Sequence, residues 1–218
     1  MNTLHRSIAS RTDRLNGSGR ASPHSALDLS ALVGEAAWNR LSPAIRRRFA
    51  AGHADVTYRG SMELKASRMG RLFGMAAALL GSPLAASQKQ AVAASVNVRN
   101  DGAGGVVWER VLGNQRVRST KRLGPDGSLE ECTSGGLSMH LDVRVEADGA
   151  LVFESRGYFL LVRGLRIAIP AWMTPGTCRV SHQDVGPGQF RFTLDMRHPL
   201  WGDTFHQTGV FDDPAAIH

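Results

Sequence analysis

Three groupings of polar residues could carry chemistry in this chain. The first alternates with apolar residues: Trp108 and Arg110 before Leu112, His182 and Asp184 after Val180, and Gln207 between Phe205 and Gly209. Residues two apart on a β-strand share a face, so these polar side chains point with large apolar neighbours. A guanidinium on an apolar face is costly to bury alone, and a ligand carboxylate would satisfy Arg110 by a bidentate contact. An internal acid would serve equally, as would a bulge that turns Arg110 outward. The second grouping is Arg179, Asp195 and His206, which strand parity sets side by side on the opposite face. A histidine oriented by a carboxylate is a general-base arrangement. No nucleophile accompanies it beyond the nearby Thr193 and Thr208, so a surface ion-pair network is the plainer reading. The third sets Asp142 opposite Glu154 and His140 opposite Arg156. Paired carboxylates can divide acid and base roles, yet Arg144 and Arg156 stand diagonally beside them and favour a solvated face. No phosphate-binding loop, dinucleotide glycine fingerprint, His-x-x-x-His pair or Gly-x-Ser-x-Gly elbow is present. The ligand-binding candidates are therefore Arg110, Trp108, His182, Asp184 and Gln207, with no catalytic set, no metal set and no implied cofactor.

Hairpins must position these residues. Asp28 or Ser30 can cap a helix on Leu29, Leu32, Val33, Ala36, Ala37 and Leu41, and Ser42-Pro43 starts a second through Phe49. Val56 to Leu64 reads as a first strand, and Ser67 caps a helix to Leu80, stopped by Gly81-Ser82-Pro83. Val92 to Val98, then Val106 to Leu112, continue one apolar face. Gly113-Asn114 makes a two-residue turn that sets Glu109 against Arg118 and Trp108 against Ser119. Setting Leu123 against Leu129 also sets Lys121 against Glu131 and Arg122 against Glu130, two opposite-charge pairs that support the register. A three-residue loop, Ala147-Asp148-Gly149, keeps Val145 on Leu151 and Val143 on Phe153. Tyr158 to Ile169 reads as one strand broken near Gly164. Gly186-Pro187-Gly188 sets His182 and Asp184 opposite Phe192 and Phe190, and the loop His198 to Asp203 sets Phe190 near Phe211.

The expected fold is α+β but mainly β: an up-and-down antiparallel barrel or strongly curled sheet of about ten strands, with two or three N-terminal helices. A helix between the first two strands matches the element order of lipocalin- and fatty-acid-binding-protein-like barrels, an analogy of outline only. Residues 1–25, with Arg6, Arg11, Arg14 and Arg20 against Asp13, read as a disordered basic tail, and residues 26–218 as a single β-rich domain. The net charge of +7 is otherwise spread without a basic stripe, which argues against nucleic acid as a partner. Cys132 and Cys178 have no metal or redox spacing and read as two ordinary thiols. The apolar run Leu72–Leu80 is too short to span a bilayer, and no secretory leader is visible, so a cytoplasmic protein without an integral membrane segment is expected.

The chain also resembles a bacterial family known as domain of unknown function 4166. The resemblance rests on Gly34-Glu-Ala-Ala-Trp-Asn-Arg-Leu-Ser-Pro43, Leu80-Gly-Ser-Pro-Leu84, Trp108-Glu-Arg110, Pro170 to Gly176, and His198-Pro-Leu-Trp-Gly-Asp-Thr-Phe-His-Gln-Thr-Gly-Val-Phe211. It would cover roughly Asp28 to Pro214. Members look like free-standing domains or appendages of dehydrogenase-like proteins, which implies a dehydrogenase-like partner and no catalytic residue.

Three functions fit these residues. The leading one is a binding module holding an apolar or amphipathic small molecule in a barrel cavity, an apolar or acidic lipid-like ligand, with Arg110 reaching into it and His182 near its rim. The second is an enzyme or dehydrogenase-accessory domain using His182/Asp184 or Asp195/His206. The third is a structural interaction domain with a filled core. The absence of a complete catalytic constellation leans against an enzyme.

Overall fold

The computed structural model describes residues 26–52, 55–80, 89–216. The expected basic tail and the Gly81-Ser82-Pro83 stop lie outside the described residues. Four short helices precede or follow the first strand: α1 (Leu29–Val33), α2 (Glu35–Trp38), α3 (Pro43–Phe49) and α4 (Arg68–Leu79). The Asp28 carboxylate caps α1 by accepting from the Ser30 and Ala31 amides. The single first helix expected from Leu29 to Leu41 is split, because Gly34 adopts φ +81° and breaks the hydrogen-bond ladder. Ser42 caps α3 and Ser67 caps α4, each through its hydroxyl.

The strands are β1 (Val56–Ala66), β2 (Lys89–Asn100), β3 (Val106–Leu112), β4 (Gln115–Leu123), β5 (Leu129–Thr133) and β6 (Leu137–Val145). There follow β7 (Leu151–Val162), β8 (Leu165–Ile169), β9 (Thr177–Gly186), β10 (Gln189–His198) and β11 (Gly202–Asp212). All pairings are antiparallel. Each strand from β1 to β7 neighbours the next, β9 to β11 continue the ring, and β11 returns to β1. Ten strands thus close a barrel, and β8 stands outside it. The hairpin registers follow the apolar parity: Leu123 on Leu129, Lys121 on Glu131, Val143 on Phe153 and Phe190 on Phe211. His140 differs, facing Gly157, because Arg156 is extruded in a bulge between Ser155 and Gly157.

The extra strand is a further correction. Tyr158 to Ile169 is no single broken strand, since Arg163 (φ +50°) and Gly164 (φ +85°) reverse the chain. Val162 then pairs with Leu165, making β7 and β8 a hairpin. One edge of β7 pairs along its length with β6. Its other edge is divided: Leu151–Glu154 pair with β9, and Tyr158–Val162 with β8. Arg166 holds β8 down by a two-toothed ion pair with Glu130, a fully buried carboxylate on β5.

The barrel has two unlike ends. At one, α3 enters the mouth: Phe49 stacks on Trp108 at 5.6 Å and meets Phe153 at 5.8 Å. Arg48 follows it inside, 3.6 Å over the Phe190 ring and 3.0 Å from Asp213. At the other end lie the β7–β8 and β10–β11 turns, the start of β9, and α4, which packs outside on β11 and β1 rather than over the mouth. There α4 turns its smallest residues, Gly70, Gly74 and Ala77, to the barrel. A β-carbon at Gly70 would run into the Thr204 carbonyl, so only glycine permits this approach.

Candidate functional site

The barrel interior gathers three of the five expected ligand residues. Trp108, Arg110 and His182 line one void with Met62, Val96 and Phe211, and that void measures only about 10 Å³. A second, beside Phe49 and Lys121, measures about 20 Å³. Each is the size of a single water molecule. Gln207 is buried on the inner face of β11, while Asp184 lies at the exposed end of β9, so neither joins the group. Among the described residues these two voids are too small for the expected ligand, and Phe49 of α3 takes the space between Trp108, Phe153 and His182.

Arg110 finds its acid within the protein. Glu131 accepts from Arg110 Nη2 at 3.1 Å, Lys121 Nζ at 2.9 Å and Ser119 Oγ at 2.5 Å. Burial alone would raise the Glu131 carboxyl; the Lys121 and Arg110 charges and the Ser119 hydroxyl outweigh it and hold it down at about 2. Lys121 is pulled below its ordinary value by burial, against the attraction of Glu131. Its ammonium also faces the Trp108 and Phe153 rings at 5.1 and 5.3 Å.

His182 sits at the barrel centre, not at a rim. It is caged by Phe49 at 4.8 Å, Phe192 at 5.4 Å, Trp108 at 5.7 Å and Phe190 at 6.1 Å. Burial, reinforced by the Arg48, Lys121 and Arg110 charges, holds it well below the usual imidazole range. It is thus neutral, and its Nδ1 has no hydrogen-bond partner among the described residues. The expected His182/Asp184 pairing fails because the strand carries Asp184 out of the barrel.

A much larger concavity lies outside. Where β7 exchanges β9 for β8, the sheet opens into a groove of about 950 Å³. One wall is formed by Tyr158, Ile169, Ala171 and Thr174, and the other by Asp195, His198, Pro199 and His206. The expected Asp195–His206 neighbours are on adjacent strands, with Oδ1 to Nδ1 at 2.6 Å. A neutral His206 that donates from Nδ1 leaves Nε2 as a base. Arg179 stands beside Asp195 in register, but its guanidinium pairs with Glu146 at 2.7 Å. The third grouping forms surface pairs, Arg144 with Glu154 at 2.8 Å and Arg156 with Asp142 at 3.1 Å. His198, fully buried in the groove wall, accepts on Nδ1 from the Leu200 and Trp201 amides, which leaves the hydrogen on Nε2. Both cysteines are free thiols, and burial pushes Cys178 up to about 12. Among the described residues no cluster suited to a metal ion occurs.

The groove was not foreseen. Its sequence signal was Pro170-Ala-Trp-Met-Thr-Pro175, which leaves the β8 edge as a short 3-10 turn (Ala171–Met173) before β9. The family model described as Domain of unknown function (DUF4166) matches residues 41–211. The chain belongs to this family. The DUF4166 match takes in the plug helix α3 and the barrel but stops short of α1 and α2. No curated protein matches the sequence. The DUF4166 description names no activity, so the two sites carry the functional argument.

Proposed function

We propose that this DUF4166 domain is a small-molecule binding module whose amphipathic ligand lies in the outer groove rather than inside the barrel. The observation that carries it is the groove itself, whose volume of about 950 Å³ suits a ligand of ordinary size. Ile169, Ala171 and Pro199 offer it apolar surface, while Arg179, Asp195 and His206 offer polar ends. The interior is a poorer host, because Glu131 already satisfies Arg110 and each void takes one water at most.

The test is titration of a fluorescent fatty acid. Ala171→Trp, which fills the groove from an exposed position, should weaken binding about tenfold or more, or ~1.4 kcal/mol. Trp108→Phe, inside the barrel, should leave affinity unchanged at equal thermal stability. Undiminished affinity in Ala171→Trp would rule the groove out.

A second reading rests on the 2.6 Å Asp195–His206 contact, which makes His206 a general base facing a bound substrate. Hydrolysis of chromogenic acyl esters, lost in His206→Ala, would favour it; no turnover of such esters would leave binding alone.

A further inference from the structure

Every large apolar side chain that is more than half exposed, among the described residues, belongs to the α4 end of the molecule. Helix α4 contributes Leu72, Met75 and Leu79 at 53, 60 and 89 % exposure. They share one stripe, because α4 spends its small residues on the barrel and so directs its large ones outward. Strand β8 adds Leu165 and Ile167 at 68 and 53 %. The 3-10 turn adds Trp172 and Met173 at 67 and 53 %, and the β10–β11 turn adds Leu200 and Trp201 at 72 and 51 %.

These tips are tied together. Phe73 of α4 stacks on His198 at 5.8 Å, and His198 meets Trp201 at 6.1 Å. Thr204, fully buried, accepts from the Ser67 amide at the start of α4 through its carbonyl. Its hydroxyl donates to Pro175, just after the 3-10 turn. The groove opens between two of the tips, since Ala171 and Thr174 flank Trp172 and Met173 while Pro199 and Gly202 flank Leu200 and Trp201.

Charge at this end is biased. Arg68 and Arg71 occupy the first turn of α4, where the helix dipole opposes cations, and no acid accompanies them there. Arg163 occupies the β7–β8 turn. All three are exposed and have no ion pair among the described residues, whereas Glu63 and Asp203 are matched by Lys65 and Arg197 at 3.6 and 3.8 Å. Helix stability gives no reason for two arginines at that terminus; an anionic partner does.

We infer that the α4 end docks on an anionic lipid surface, inserting Leu79, Trp172, Leu200 and Trp201 among the headgroups while Arg68, Arg71 and Arg163 meet the lipid phosphates. Tryptophan beside aliphatic tips is suited to the membrane interface, and flanking arginines add attraction to anionic lipid. A protein partner favours a continuous packed face. Here the apolar groups stand on four separate elements around an open groove, and a fluid bilayer conforms to such a discontinuous set.

The test is flotation of the full chain with vesicles of phosphatidylcholine alone and of a phosphatidylcholine–phosphatidylglycerol mixture. Binding to the mixed vesicles is expected, weaker on phosphatidylcholine, with a blue shift of tryptophan emission. The neutral variant Leu79→Ser/Leu200→Ser/Trp201→Ser leaves every charge in place and should lower partitioning about tenfold or more at unchanged melting temperature. Arg68→Gln/Arg71→Gln should lower it on mixed vesicles only. His206→Ala should float like wild type, so loss of the groove reading would not touch this one. Equal partitioning of the triple serine variant and wild type would overturn the proposal. So would a concentration-dependent dimer in vesicle-free solution that the triple variant dissociates, which would make this end a protein interface.

Discussion

Glu131 bears a heavy electrostatic duty: one buried carboxylate answers a buried ammonium, a partly buried guanidinium and a hydroxyl. Glu131→Gln would leave Lys121 and Arg110 inside without their counter-charge, and should cost about 3–5 kcal/mol of stability. A lowered urea midpoint at unchanged slope is the expected result. Its pH behaviour follows from a carboxyl held at about 2 against an ordinary 4.5. That stabilisation is complete above 4.5 and is lost as pH falls from there through 2. His182 works over a different range. Its folded form resists protonation, while the unfolded chain takes a proton below about 6.5, so stability falls as pH drops from there. The loss grows as pH falls further below about 6.5, toward a limiting slope of ~1.4 kcal/mol per pH unit while the folded imidazole stays unprotonated. Urea titrations on either side of about pH 6.5 should show His182→Leu losing less stability on acidification than wild type. Much of this cluster was legible in the sequence. Parity set Arg110 and His182 on the apolar face, and register set Lys121 on Glu131. What parity could not supply was the diagonal reach from Arg110 across β4 to Glu131, which depends on the curvature of the closed sheet.

At the scale of elements, β8 is the piece most open to test. It pairs only with β7, its side chains are largely exposed, and Arg166 pins it to Glu130. Elements with few buried contacts open locally at low cost. Arg166→Ala should therefore speed amide exchange in Leu165–Ile169 about tenfold or more, while Leu151–Glu154, held between β6 and β9, keep their protection. Most hairpins were readable, because a wrong register would have put charges among apolar residues, as Val145 on Leu151 illustrates. The β7–β8 hairpin was missed for a physical reason. Its turn uses Arg163 at positive φ before Gly164, and no Asn-Gly or Asp-Gly pair announces it. The break at Gly34 escaped in the same way, since apolar spacing continued through the glycine.

For the whole molecule, closure was legible and occupancy was not. A run of antiparallel hairpins tends to close, but nothing local announced that the helix before the first strand would fill the interior with Phe49 and Arg48. The seam between β1 and β11 has a consequence in time. Gly60 pairs with Phe211, so the ring is completed by segments about as far apart as the domain allows. Contacts of such long separation close slowly, because loop entropy is lost before pairing rewards it. During synthesis from the N-terminus, β1 and β2 can pair early, yet the other edge of β1 stays bare until β11 leaves the ribosome. For most of translation the nascent chain is thus an open sheet with an unpaired strand edge at β1, and the aggregation hazard of that edge ends only when β11 closes the seam.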